Sequence, residues 1–155
     1  MRGLSSTTAS AKPPMLFLDR NGDEVQRRAI DPWPWMVRLH LTEAVHLRST
    51  SEFLLCSGQP SVDDAGRIVG KGNIRLQMET AMENLHTVLA TGGFDLGDVV
   101  RLNLYTTDVD GLSANFDVIT EALARAKCHP SNTLLGVSRL ARPQMLIEIE
   151  ATAAR

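Results

Sequence analysis

No stretch of this chain approaches the roughly 18 consecutive apolar residues that a membrane-spanning helix requires, so a membrane is not an expected partner. Cysteine is scarce: Cys56 and Cys128 are the two in 155 residues, and they form no C-x-x-C pair. Cys56 ends the apolar run Phe53-Leu54-Leu55-Cys56, where a buried thiol acts as a small hydrophobe rather than as a nucleophile or half of a disulfide. Positive charge is not in excess either, since the formal net charge is −2 and the densest basic group is Arg27-Arg28. A nucleic-acid binder needs a basic stripe to neutralise phosphates, so nucleic acid is excluded as a general partner. His40, His46, His86 and His129 lack metal-ligand spacing and read as solvated or edge residues. Gly66 to Lys71 is one residue short of a phosphate loop, and Gly72 stands where Ser or Thr is needed. No G-x-S-x-G elbow or ordered His–Asp pair accompanies Ser57, which removes it as a hydrolase nucleophile. Met1 to Pro14 is rich in Ser, Thr and Ala without the apolar centre of a secretory signal. Residues 1–14 therefore read as a flexible tail, and cytoplasmic residence is the expectation.

What is present is ordinary for a folded domain: 43% apolar and 22% charged residues, enough for a core without disulfides or a structural metal. Residues 15–155 fit one domain. Met15 to Leu18 and Val25 to Ile30 flank Asn21-Gly22, a hairpin-turn dipeptide. Asp31-Pro32-Trp33-Pro34-Trp35 cannot be helix interior, because each proline removes a donor and restricts its neighbour. Ala44 to Leu47 and Phe53 to Cys56 read as strands joined by a polar turn, and Val62 to Val69 as a loop or small hairpin. From Ile74 to Thr91 the apolar positions Ile74, Met78, Ala81, Met82, Leu85, Val88 and Leu89 recur with helical period. Asn73 is the expected N-cap and Gly92-Gly93 the left-handed stop. A strand alternates over Val99 to Thr106, and a second helix is expected over Leu112 to Ala126. Strands Thr133 to Val137 and Met145 to Ala151 close the chain.

The expected fold is α+β: a mixed sheet with two long helices packed on one face. The other face carries Arg101, Asn103, Tyr105, Glu148 and Glu150 among apolar residues. Carboxylates there need partners and exposed apolar groups need cover, so a subunit interface is expected on that side.

Several runs point to one family. Phe53-Leu54-Leu55-Cys56-Ser57-Gly58-Gln59 is a strand ending in Ser-Gly-Gln. Glu83-Asn84-Leu85 precedes Gly92-Gly93. Asp98-Val99-Val100-Arg101 runs to Tyr105-Thr106-Thr107-Asp108. Val137-Ser138-Arg139-Leu140 precedes Ile147-Glu148-Ile149-Glu150-Ala151. In this order, over residues 42 to 152, they resemble the RidA/YjgF family of enamine/imine deaminases. The resemblance implies a chorismate-mutase-like fold, a homotrimer with ligand clefts between subunits, a small-molecule substrate, and hydrolytic deamination without metal or organic cofactor. It implies that Glu148 positions the attacking water. It also implies an arginine clamp for a substrate carboxylate, but Pro130-Ser131-Asn132-Thr133 puts Asn132 in that place. A neutral amide does not replace a bidentate guanidinium. Leu41 stands for a family tyrosine and Phe116 for an asparagine, which makes the pocket more apolar.

Each candidate has a second reading. Glu148 either handles a water or pairs across an interface with Arg101 or Arg139. Ser57 and Gly58 either present backbone N–H groups to a ligand or form a tight turn with positive φ. Asn132 and Thr133 either bind a neutral polar substrate or cap the chain after Pro130, with Leu134 and Phe116 as apolar lining. Trp33 and Trp35 either roof a pocket or pack on a neighbouring subunit. A non-catalytic ligand-binding or regulatory trimer is the alternative to the deaminase. A ribonuclease is disfavoured by the acidic balance and the absence of a basic groove.

Overall fold

The computed structural model describes residues 15–18, 24–33 and 35–155. The expected tail at 1–14 and the Asn21-Gly22 turn lie outside them. Seven strands and three α-helices follow in chain order. These are β1 (Met15–Leu18), β2 (Glu24–Ile30), β3 (Ala44–Arg48), β4 (Phe53–Pro60), α1 (Ile74–Thr91), β5 (Val99–Thr106), α2 (Val109–Ala114), α3 (Asp117–Arg125), β6 (Ser131–Gly136) and β7 (Ile147–Ala154).

Helix α1 forms where its period and caps place it. The Asn73 side chain accepts from the Leu76 N–H, and Met78, Ala81, Leu85 and Leu89 are fully buried. Gly93 takes φ +76° and the Phe94 N–H bonds Leu89 O at 2.8 Å, so the last turn closes with a left-handed residue and a buried aromatic behind it. Asn84 ties the helix to the chain leaving β4 by donating to Pro60 O and Val62 O, both at 2.9 Å. Gln77, completely buried, donates to Gly70 O and Gln144 O and accepts from the Leu146 N–H.

The expected second helix is broken. Asp108 caps α2 through the Gly111 N–H, and at Asn115 the side chain turns back to Gly111 O at 2.8 Å. An asparagine that bonds its own backbone competes with helix propagation, so the chain restarts as α3 after Phe116. Leu112, Ile119 and Leu123 still share the buried face. Arg75 on α1 pairs with Asp117 on α3 at 2.8 Å, holding the helices side by side.

The main sheet runs β4-β7-β5-β6. β7 is antiparallel to both neighbours, and β5 is parallel to β6. Each helical connection thus joins parallel strands, as a crossover requires. Ile147, Ile149, Ala151 and Ala153 of β7 face the helices and are at most 2% exposed. β3 and β4, adjacent in sequence, do not form a hairpin: β3 pairs with β2 in a three-stranded sheet of order β1-β2-β3. A parallel bridge between Thr42 and Ser131 links that sheet to the edge strand β6. Arg27 of β2 anchors it further, donating to Gly97 O, Asp98 O and Ala154 O. Burial there holds its pKa below the usual arginine value.

Candidate functional site

The helix-free face of the main sheet is built by strand alternation. Register places Arg101, Asn103 and Tyr105 of β5 beside Thr152, Glu150 and Glu148 of β7, and beside Ser131, Thr133 and Leu135 of β6. Phe53 and Leu55 continue the face on β4, 57% and 78% exposed, and Leu135 is 49% exposed at the other edge. Among these apolar groups lies a bonded polar set. The Tyr105 hydroxyl donates to Glu150 Oε2 at 2.9 Å, and this bond is the main cause of a phenol pKa above the usual value. Arg101 donates to the Thr133 hydroxyl. Asn103 Oδ1 is buried without a partner.

Glu148 joins this set only through its charge, which helps to raise the Tyr105 pKa. Among the described residues its side chain forms no hydrogen bond or ion pair, and the pairing with Arg101 or Arg139 expected across an interface has no counterpart within the chain. Arg101 is held by Thr133 instead. The Glu148 side chain lies across Gly58: a Cβ on Gly58 would stand 2.0 Å from Glu148 Oε1 and 2.7 Å from its Cδ. The ladder between β4 and β7 is irregular between Cys56 and Gln59, so Ser57 and Gly58 fall between paired residues. Such a bulge re-aims side chains and frees backbone groups. The reading of Gly58 as a positive-φ turn is corrected, since the left-handed glycines are Gly66, Gly70, Gly72 and Gly93. Glycine is needed at 58 because a carboxylate crosses it.

The remaining candidates form a separate group. Asn132 is registered beside Leu102, a fully buried residue of the helix-covered side, and its Nδ2 donates to Leu102 O at 3.0 Å. Leu134 and Phe116 pack against the core on that same side. Of these remaining candidates only Thr133 lies on the face that carries Glu148. A single chain therefore brings Ser57, Gly58 and Glu148 together and holds Asn132, Leu134 and Phe116 apart from them, across the sheet. Within one copy Ser57, Asn132 and Glu148 line no common cleft; the expected cleft lies between subunits. A groove of about 730 Å3 does exist between α1 and α3, lined by Glu79, Met82, Leu96 and Val118 among others, but it touches no candidate residue. Trp33 and Trp35 are 59% and 50% exposed.

Burial sets the character of the thiols and two of the histidines. Cys128, beside Val99 O, has its pKa pushed up to about 12 by burial, and Cys56 is raised for the same reason. Neither is a poised nucleophile. The His40 and His129 rings lie 5.4 Å apart, with His40 Nδ1 buried and unpartnered, so these two are packed rather than simply solvated. No group of three or more described His, Cys, Asp or Glu residues is placed to hold a metal. No helix of the described residues is long and apolar enough to cross a membrane.

A mixed sheet covered on one side by helices, with a carboxylate over a glycine bulge on the other, defines a chorismate-mutase-like α+β protein. The chain belongs to the RidA/YjgF (Rid) family: the family model described as endoribonuclease L-PSP matches residues 38–155. A Rid family protein of unknown function from Yersinia pestis, YyfB, superposes with TM-score 0.72 at 32% identity, over 83% of this chain and 98% of that one. A RutC family protein of Pyrococcus horikoshii is 33% identical over 101 residues, 65% of this chain and 78% of its own length. The mitochondrial protein mmf2 of Schizosaccharomyces pombe is likewise 33% identical over 65% of this chain and 79% of its own length. TdcF of E. coli, solved with bound serine, shares the fold at TM-score 0.61 and 22% identity, over 82% of this chain and 91% of that one.

Proposed function

We propose that this protein is a hydrolase of the Rid type, acting on a reactive imine, enamine or related small metabolite in a cleft between copies of a homotrimer. The observation that carries this reading is Glu148, a half-buried carboxylate without a partner, laid across Gly58 beside the exposed Ser57. A carboxylate in that state accepts a proton from water and aims the oxygen at an electrophilic carbon. The bulge at Ser57 and Gly58 offers backbone N–H groups to the nitrogen or oxygen substituents of the substrate. Hydrolysis of the C=N bond then adds water at carbon and releases ammonia.

Association supplies the rest of the site. The helix-free face exposes Phe53, Leu55 and Leu135 around a polar cluster that is already bonded, a composition suited to burial against another copy. A neighbouring copy can bring its Asn132, Leu134 and Phe116 edge to the Glu148 side. The serine bound to TdcF supports a cleft that takes small polar metabolites. Here Asn132 stands where relatives of the deaminase kind carry arginine, and its amide is already engaged with Leu102 O. The substrate range is accordingly shifted away from carboxylate-bearing imines.

Ammonia release from 2-iminopropionate-type imines generated in situ tests this directly. Glu148→Gln removes the proton acceptor and is expected to abolish release, while Asn132→Arg is expected to raise turnover of the carboxylate-bearing imine. Equal rates in wild type and Glu148→Gln would leave a non-catalytic ligand-binding trimer as the reading.

A further inference from the structure

The chain is acidic overall, yet one of its surfaces carries arginines that form no ion pair among the described residues. In the β2–β3 ladder Arg28 stands opposite His46, and Gln26 opposite Arg48. Alternation puts these four on one face and Arg27 with Leu47 on the other. The Arg27 face is the docked one, fastened to Gly97 O, Asp98 O and Ala154 O. On the opposite face Gln26, Arg28, His46 and Arg48 alone line a depression of about 240 Å3.

The side chains of Arg28, His46 and Arg48 make no hydrogen bond or ion pair with any described residue. Other described arginines are engaged: Arg67, Arg75, Arg125 and Arg155 each meet a carboxylate, and Arg27, Arg101 and Arg142 are hydrogen-bonded. Arg28 and Arg48 lie diagonally across this antiparallel ladder, and like charges on neighbouring strands repel and weaken it. An anion seated between them reverses the sign of that interaction.

We propose that this depression binds a phosphate group, carried by a small phosphate monoester or as free phosphate. Two guanidinium forks approaching from neighbouring strands suit a tetrahedral dianion, which offers oxygens to both at once. A carboxylate has half the charge and two coplanar oxygens. The His46 ring is a further donor. The next pair on the same face, Ile30 and Ala44, is uncharged. The cationic surface therefore ends at this one spot, whereas a polynucleotide needs a track of basic residues. The site shares no residue with the Glu148 region, so it stands whether or not the chain deaminates imines.

The test is a titration of the full-length, isotope-labelled protein in low-salt buffer free of phosphate, followed by backbone amide shifts and the His46 ring signals. Inorganic phosphate, glycerol 3-phosphate and acetate are the probes. The two phosphates are expected to move the amides of residues 26–28 and 46–48 saturably, with acetate at least tenfold weaker. Tighter binding of glycerol 3-phosphate assigns an esterified ligand; tighter binding of inorganic phosphate assigns the free ion. Arg28→Gln and Arg48→Gln are each expected to weaken phosphate about tenfold, the usual worth of a charged hydrogen bond. Both side chains are exposed, so neither change empties the core, and the wild-type titration decides the matter even if one variant does not fold. Shifts that never saturate, affinity unchanged in both variants, or a single-stranded RNA oligonucleotide that binds the same amides more tightly than the monoester would each overturn the proposal.

Discussion

Replacing Gly58 by alanine perturbs the proposed chemistry by displacing the Glu148 carboxylate while leaving its chemical identity intact. The new Cβ would stand 2.0 Å from Glu148 Oε1, 2.7 Å from Cδ and 2.8 Å from Cγ. Comfortable contact between such atoms begins near about 3.5 Å, so the carboxylate must retreat by about 1 Å or more. The obstacle is one flexible side chain rather than backbone, and a strained or altered rotamer costs about 0.5–1.5 kcal/mol. A catalytic group displaced by about 1 Å loses on the order of 100-fold in rate. Gly58→Ala is therefore expected to cut ammonia release about 100-fold while the urea midpoint barely moves. The double variant Gly58→Ala/Glu148→Gln should be no slower than Glu148→Gln alone, because both changes remove the same interaction. Wild-type rates in Gly58→Ala, or losses that simply multiply in the double variant, would refute the reasoning.

Other outcomes follow from buried groups. Cys128 should resist alkylation in the native protein and react only after denaturation, since burial raises its pKa from 9.0 to about 12. A folded-state pKa above the unfolded value stabilises fully below about pH 9 and is lost as pH rises towards about 12. Denaturation midpoints should therefore fall over that window, and less so in Cys128→Ala. Asn84→Ala removes the side-chain donor to Val62 O and one of two donors to Pro60 O, which keeps the Val62 N–H, and should cost about 1–3 kcal/mol in urea unfolding. Leu85→Ala, at a fully buried position of α1, should cost about 2–5 kcal/mol in the same assay.

The elements visible in the sequence were those with strong local causes. α1 has a period, an N-cap at Asn73 and a glycine stop, and it forms where these place it. The alternation in β5 and β7 likewise sorts Leu102, Leu104, Ile147 and Ile149 from Arg101, Tyr105 and Glu148. Local pattern fails where a side chain outcompetes the backbone, as Asn115 does in breaking the second helix. It fails again where pairing is non-local. Nothing in residues 44–60 says that β3 joins β2 while β4 joins β7. For the same reason Arg28 and Arg48, twenty positions apart, read as scattered charges until register sets them on one face. The site was legible in residue identity but not in arrangement. Glu148, Gly58 and Ser57 converge, but strand parity sends Asn132 to the side opposite Glu148, and one register step would have reversed that. At Gly58 a close approach and a left-handed turn leave the same letter in the sequence, and the structure shows the close approach.

Since one copy holds Glu148 and Asn132 on opposite sides of its sheet, the account stands or falls on association. Sedimentation equilibrium of the purified chain at micromolar concentration is the most direct measurement. The predicted mass is three times the 17.0 kDa of a single chain. A particle of one chain mass across that range would contradict it, leaving Glu148 without the opposing edge that completes the cleft.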